Sequence, residues 1–263
     1  MRLFYDIDRL GPERFDSDRF QFVVYTERAD EKVRPNEDCA GWLNLGPDRS
    51  LFVLSDGLGG RPNADIASRT AVETILNSLQ HKPAEDRIAG DIIAAIDEAN
   101  EALMAHYTRC GATLAVASFS GTTVRPYLIG DSSFMLVGKR GLVKYRSTAH
   151  SPVGHLVAAG ALTARQGIKH TQNHLVENVL GDSRFYVEVG SALEVANHDT
   201  MIMCSDGLTD HLTPDKIGEI ACRDRLEDSA LELANASKKR MQARQSADDL
   251  TFILIRLQPA IGD

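Results

Sequence analysis

The chain has 263 residues, 43% of them hydrophobic and 25% charged, with a formal net charge of −8. That length can bury a sizeable core, and the composition is that of an ordinary globular protein. The acidic balance argues against a nucleic-acid partner, because phosphate backbones attract cationic surfaces, and no apolar run approaches the ~20 residues a membrane helix needs.

The N-terminus, "MRLFYDIDRLGPERF", carries charges throughout and lacks the apolar core of a signal peptide. Strands are predicted over 20–26, 40–46 and 51–55. Helices follow from about 64 and about 90, then strands over 113–119, 124–130, 134–138 and 142–146. Residues 147–184 are polar and mixed, and they carry His150, His155, His170 and His174. They read as a short helical excursion rather than core. Strands at 185–189 and 199–205 come next, then a helix from Pro214, a longer helix over about 226–243, and a final strand over 250–257. Strands in two batches, with helices between and after them, imply an α+β fold with helices packed on antiparallel sheets. The triplet "KKR" at 238–240 falls in a predicted helix and reads as its solvated face.

Cys39, Cys110, Cys204 and Cys222 show no Cys-x-x-Cys spacing. This favours reduced, structural thiols and a cytoplasmic protein. Cys204 reads as a small buried hydrophobe. The four histidines fit no standard zinc spacing and read as surface or flap residues.

Chemistry is concentrated at strand ends. "LFVLSDGLGG" (51–60) and "MIMCSDGLTD" (201–210) are each an apolar run followed by Ser-Asp-Gly-Leu. An Asp-Gly pair usually marks a tight turn. The alternative is that Asp56 and Asp206 converge on a metal. "RPNED" places Arg34, Glu37 and Asp38 before a strand, "YLIGDSS" places Asp131 after one, and "SADDLTFILI" places Asp248 and Asp249 before the last. Several carboxylates in one cleft oppose burial without a counter-ion. Oxygen-only ligands point to Mg²⁺ or Mn²⁺, and a pair of such ions would suit hydrolysis of a phosphate ester. Arg34 would then bind phosphate oxygens in a bidentate fork, with Arg28 as the alternative. Glu37 reads either as a ligand or as a supporting group.

The ordered set of "RPNED", "LFVLSDGLGG", "GATLAVA", "YLIGDSS", "AAGALTARQGIKHTQNHLVENVLG", "MIMCSDGLTD" and "SADDLTFILI" resembles the protein phosphatase 2C family of metal-dependent serine/threonine phosphatases. The likeness runs from about Val33 to Ile255 and is closest to the bacterial branch. It implies one phosphatase domain over 1–263: a four-layer αββα sandwich of two antiparallel sheets flanked by helices, with a flap-like excursion at about 147–184. It implies that Asp56 bridges two Mn²⁺ or Mg²⁺ ions, that the Gly57 carbonyl binds one of them, and that Asp206 and Asp248 complete the pair. Glu37 and Asp38 would hold metal or its waters. A third metal would fall on Asp131 and Asp210.

The expected substrate is a phosphorylated protein, which a metal-activated water attacks in opposition to a serine/threonine kinase. The expected state is a monomer without membrane or nucleic-acid partners. The alternative is a degenerate member that binds a phosphoprotein or regulatory partner without efficient turnover. Several positions depart from the family pattern. Only two residues separate Arg34 from Glu37, where three are usual. Ser133 stands where Gly-Asp-Ser-Arg has arginine, while "GDSR" at 181–184 repeats that motif in a place that predicts a turn. Asp249 stands for asparagine, and Leu58 for a histidine of eukaryotic members.

Overall fold

The computed structural model describes residues 1–258 other than 18, 31, 47, 82–86 and 108. The chain runs β1 (Arg2–Phe4), β2 (Arg9–Asp16), β3 (Phe20–Glu27), β4 (Asp38–Gly46), β5 (Arg49–Asp56), α1 (Ala64–Gln80), α2 (Ile88–His106), β6 (Leu114–Ser120), β7 (Thr123–Ile129), β8 (Ser133–Val137) and β9 (Val143–Arg146). It continues through α3 (Pro152–Ala158), α4 (Ala164–Gly167), β10 (Glu188–Val189), β11 (Leu193–Glu194), β12 (Thr200–Cys204), α5 (Asp206–Thr209), α6 (Pro214–Ala221), α7 (Leu226–Arg244) and β13 (Leu250–Leu257).

Strands β5, β6, β12 and β13 are near-continuous apolar runs, buried on both faces. Such strands must lie inside sheets that are themselves covered. One sheet has the order β1-β4-β5-β6-β7-β10, with β11 also on β7, and the other has β2-β3-β13-β12-β8-β9; every pairing is antiparallel. Alternate side chains then feed separate cores. Leu51 and Val53 pack under α1 and α2, while Phe52 and Leu54 face the other sheet. Met135, Ile202 and Leu254 pack under α6 and α7. The middle layer is aromatic: Phe22 meets Phe52 edge-on at 5.0 Å, and Phe52 meets Phe119 at 5.5 Å. This is the expected αββα sandwich.

Three strands were not legible: β1, β2 and the two-residue β11. β1 and β2 lie in the charged N-terminal stretch. β2 pairs with β3 across a register shift between Leu10 and Glu13, and only Phe15 of it is buried. An edge strand needs few apolar anchors because one side faces solvent. Conversely, the strand expected over 185–189 shrinks to Glu188–Val189. Residues 259–263 of the expected single domain lie outside the described residues.

Candidate metal centre

Strand ends from both sheets deliver the aspartates. Asp38 opens β4, Asp56 closes β5, and the two are direct partners across that pair. Asp131 follows β7 by two residues, after Gly130 at φ +88. From the other sheet come Asp206, at the start of α5 just beyond β12, and Asp248, just before β13. Ser205 links the sheets: its Oγ donates to Asp38 Oδ2 at 2.8 Å, and its N–H donates to the Thr251 carbonyl at 3.0 Å.

Both Asp-Gly pairs contradict the tight-turn reading. Neither Gly57 nor Gly207 has a positive φ among the described residues. Each is glycine because another backbone passes against it. A Cβ on Gly57 would meet the Ala64 carbonyl oxygen at 2.0 Å, and one on Gly207 would meet the Asp249 carbonyl oxygen at 2.0 Å.

The carboxylates act on one another. Burial, then the charges of Asp38, Asp206, Asp248 and Asp131, push Asp56 well above the usual carboxylate range. Burial, then Asp248, Asp210, Asp131 and Asp38, do the same to Asp206. Burial and Asp249 raise Asp38 to about 7, and burial and Asp131 raise Asp210 to about 7. Asp131 is raised to about 6 by burial and Asp248. Asp248 is raised to about 6 by the dehydrating chain around it and by Asp249, although the residue as a whole faces solvent.

Among the described residues, no three His, Cys, Asp or Glu side chains close tightly enough on one point to form a finished metal cage. The chemistry of the donors nevertheless fits a hard divalent cation. All are oxygens, and Asp38 Oδ1 is fully enclosed without a hydrogen-bond partner.

A cation unforeseen in the sequence sits beside them. Lys32 Nζ donates to Glu37 Oε2 at 2.7 Å and to Asp249 Oδ2 at 2.5 Å. Burial opposes its charge, but Asp249 and Glu37 outweigh that and raise its pKa. Asp249 also accepts from the Ala29 and Glu37 N–H groups at 2.8 and 2.7 Å, so it fastens the 29–37 loop to β13. The only sequence signal for Lys32 was a lysine among acidic residues two positions before Arg34. Glu37 is thus held by Lys32. Arg34 is exposed at the rim, with Nη1 3.9 Å from Glu37 Oε1 and 3.4 Å from the Arg61 carbonyl.

His150 corrects the surface-histidine expectation, being only 1% exposed. Its Nδ1 accepts from Gly130 N–H at 3.1 Å and from Asn178 Nδ2 at 2.8 Å, so Nε2 carries the proton that faces Glu188 at 2.8 Å. It thereby fixes the turn that presents Asp131. Asp182, in the second "GDSR", caps a local turn through the Arg184 N–H and acts on none of these carboxylates. Cys204 is fully buried, and burial pushes its thiol up to about 12.

Residues 29–245 match the family described as Protein phosphatase 2C. The chain belongs to that family. Among family relatives, the serine/threonine phosphatase stp of Listeria monocytogenes is 24% identical over 230 residues, covering 84% of this chain and 89% of its own. The solved phosphatase Stp1 of Staphylococcus aureus superposes with a TM-score of 0.80 at 22% identity, covering 90% of this chain and 95% of its own. The catalytic domain of the phosphatase PstP, solved in complex with 2 manganese ions, superposes at 0.75 with 22% identity, covering 92% and 99%. Among the described residues no helix is long and apolar enough to cross a membrane.

Proposed function

We propose that this protein phosphatase 2C member hydrolyses phosphoserine and phosphothreonine in proteins as a single catalytic domain that depends on Mn²⁺ or Mg²⁺. The observation that carries the reading is the meeting of Asp38, Asp56, Asp206 and Asp248 from two sheets in one mutually charged group. Asp38, Asp56, the Gly57 carbonyl, Asp206 and Asp248 would hold two ions, with Asp131 and Asp210 holding a third. When bound, the ions supply positive charge against the phosphoryl oxygens and acidify the attacking water.

The chain's own groups do the rest. Ser205 orients Asp38 through Oδ2 and leaves Oδ1 unspent. Lys32 and Asp249 hold Glu37 against the cluster. Arg34, exposed beside Glu37, binds the phosphate on entry. The substrate is a phosphoprotein that a serine/threonine kinase has modified. The intact aspartates favour turnover over a purely binding role.

The test is hydrolysis of p-nitrophenyl phosphate and of a phosphothreonine peptide with Mn²⁺, then with chelator. Metal-dependent release of phosphate from both is expected, and Arg34→Ala should raise KM more than it lowers kcat. Hydrolysis that persists in chelator would overturn the reading.

A further inference from the structure

Arg146, the last residue of β9, pairs with Met135 and so shares the face of the sheet that turns toward α6 and α7. Its Nε is fully enclosed and has no hydrogen-bond partner. No side-chain hydrogen bond or ion pair of Arg146 occurs among the described residues. Burial works against its charge, yet arginine does not escape by losing its proton. Its Nη groups have no side-chain partner among the described residues either and are not enclosed, so the guanidinium keeps free donors for an anion.

The side chain borders a cavity of about 260 Å³ between β8, β9 and the flap helices α3 and α4. Two buried hydroxyls share that cavity. Ser147 Oγ accepts from Phe134 N–H at 3.0 Å and Ser151 Oγ from Gly154 N–H at 2.9 Å, and neither O–H donates to a group among the described residues. The cavity therefore gathers a guanidinium and two hydroxyl donors. Val153, Val157 and Ile168 give it an apolar side. Arg244 ties that side down, donating to the carbonyls of Ile168 and Asp210, each at 2.6 Å.

Asp131 and Asp210 line the same cavity, which thus adjoins the proposed metal centre. Arg146 does not neutralise them: the charges acting on Asp131 and Asp210 come from Asp248, Asp131 and Arg244.

We propose that this cavity is a second oxyanion subsite, in which Arg146, Ser147 and Ser151 bind a carboxylate or phosphate carried by the substrate peptide near the residue being dephosphorylated. It rests on the phosphatase reading above. The guanidinium fork suits either anion, and the apolar side takes the methylene stem of an acidic side chain. The enzyme would then favour phosphopeptides that carry a second negative group at one fixed distance.

The test uses phosphothreonine peptides in which one neutral glutamine, at positions −3 to +3, is replaced in turn by glutamate or phosphoserine. Wild type should favour the acidic peptide at one position by ~10-fold in kcat/KM, mainly through KM. A glutamate preference identifies a carboxylate, and a preference confined to phosphoserine identifies a phosphate. Arg146→Gln should bring the ratio near one, and Arg146→Lys, which keeps charge but loses the fork, should fall between. In parallel, inorganic phosphate should raise the melting temperature of metal-free wild type in chelator but not that of Arg146→Gln. No preference at any position, or a preference that survives in Arg146→Gln, overturns the subsite. If no peptide is hydrolysed, the phosphatase reading fails by itself. The phosphate shift then decides the subsite: loss in Arg146→Gln supports it, and equal shifts in both proteins overturn it.

Discussion

Asp38 and Asp56 stand directly opposite each other in the β4–β5 register, two carboxylates as neighbours at the end of one strand pair. Like charges in that position destabilise a sheet. Asp56→Asn should therefore stabilise the metal-free protein at pH 8, by up to ~1 kcal/mol. It should also cut turnover of p-nitrophenyl phosphate by at least ~100-fold, a loss of ~2.7 kcal/mol in transition-state stabilisation. Urea melts and initial rates check both parts. A variant that is less stable and fully active would show that the pair is not the centre.

The acidic cluster should give the metal-free protein an unusual pH profile. Asp131 and Asp248 are raised to about 6, and Asp38 and Asp210 to about 7. The folded chain thus holds these protons more tightly than the unfolded chain, whose carboxyls titrate near ~3.9. The resulting stabilisation is complete below that value and is lost as pH rises through 6 and 7. In chelator, the melting temperature should fall between pH 5.5 and 8, and Mn²⁺ should add more stability at pH 8 than at pH 5.5. A melting temperature that rises over that range without metal would refute this.

Lys32 is the counter-charge for Glu37 and Asp249, which are 7% and 3% exposed. Removing one partner of a buried pair leaves the others uncompensated, so Lys32→Met should cost about 2–3 kcal/mol, toward the low end because Lys32 still reaches water. Adding Asp249→Asn should recover part of the loss, since it removes the uncompensated charge and its amide oxygen can still accept from one of the two N–H groups, Ala29 or Glu37, that use separate carboxylate oxygens of Asp249. A double variant no better than the single one would mean that the ion pair is not the source of the loss.

Gly57→Ala and Gly207→Ala should each destabilise by roughly 3 kcal/mol, because the new methyl would overlap a backbone carbonyl rather than a movable side chain. Gly59→Ala provides the control. Its Cβ would meet nothing nearer than Glu37 Oε2 at 3.9 Å, and its cost should stay within ~0.5 kcal/mol. Chemical denaturation of the three variants separates crowding from a general intolerance of the loop.

Asp131→Ala and Asp210→Ala should weaken the Mn²⁺ dependence of turnover, while Asp182→Ala leaves it within about twofold of wild type. Asp131 lies in the field of the other carboxylates, and Asp182 serves a local turn. A large loss for Asp182→Ala beside normal behaviour for Asp131→Ala would move the site.

Much of this was legible from local pattern. The apolar run of β13 has the bounds that its residues predict, and α1 starts where its periodicity begins. Burial repeats along a strand or helix write themselves into the order of residues. The aspartates that close β5 and follow β7 and β12 were legible for the same reason, since a charge that ends an apolar run is conspicuous. β2 was not, because its order comes from pairing with β3 rather than from its own hydrophobicity.

The sequence by itself determined the two-sheet α+β class, the family, and which aspartates end the strands. Only the tertiary structure decided what those ends meet. It placed Asp38 against Asp56, made Gly57 and Gly207 obligatory by close approach, buried His150 behind Asp131, and gave Lys32 its two carboxylates. It also left the Arg146 side chain without a hydrogen-bond partner among the described residues, beside a cavity. Periodicity reports which face of an element is buried, whereas contacts such as Lys32–Asp249 join residues 217 positions apart. No local pattern encodes these contacts, because they exist only once both sheets have closed.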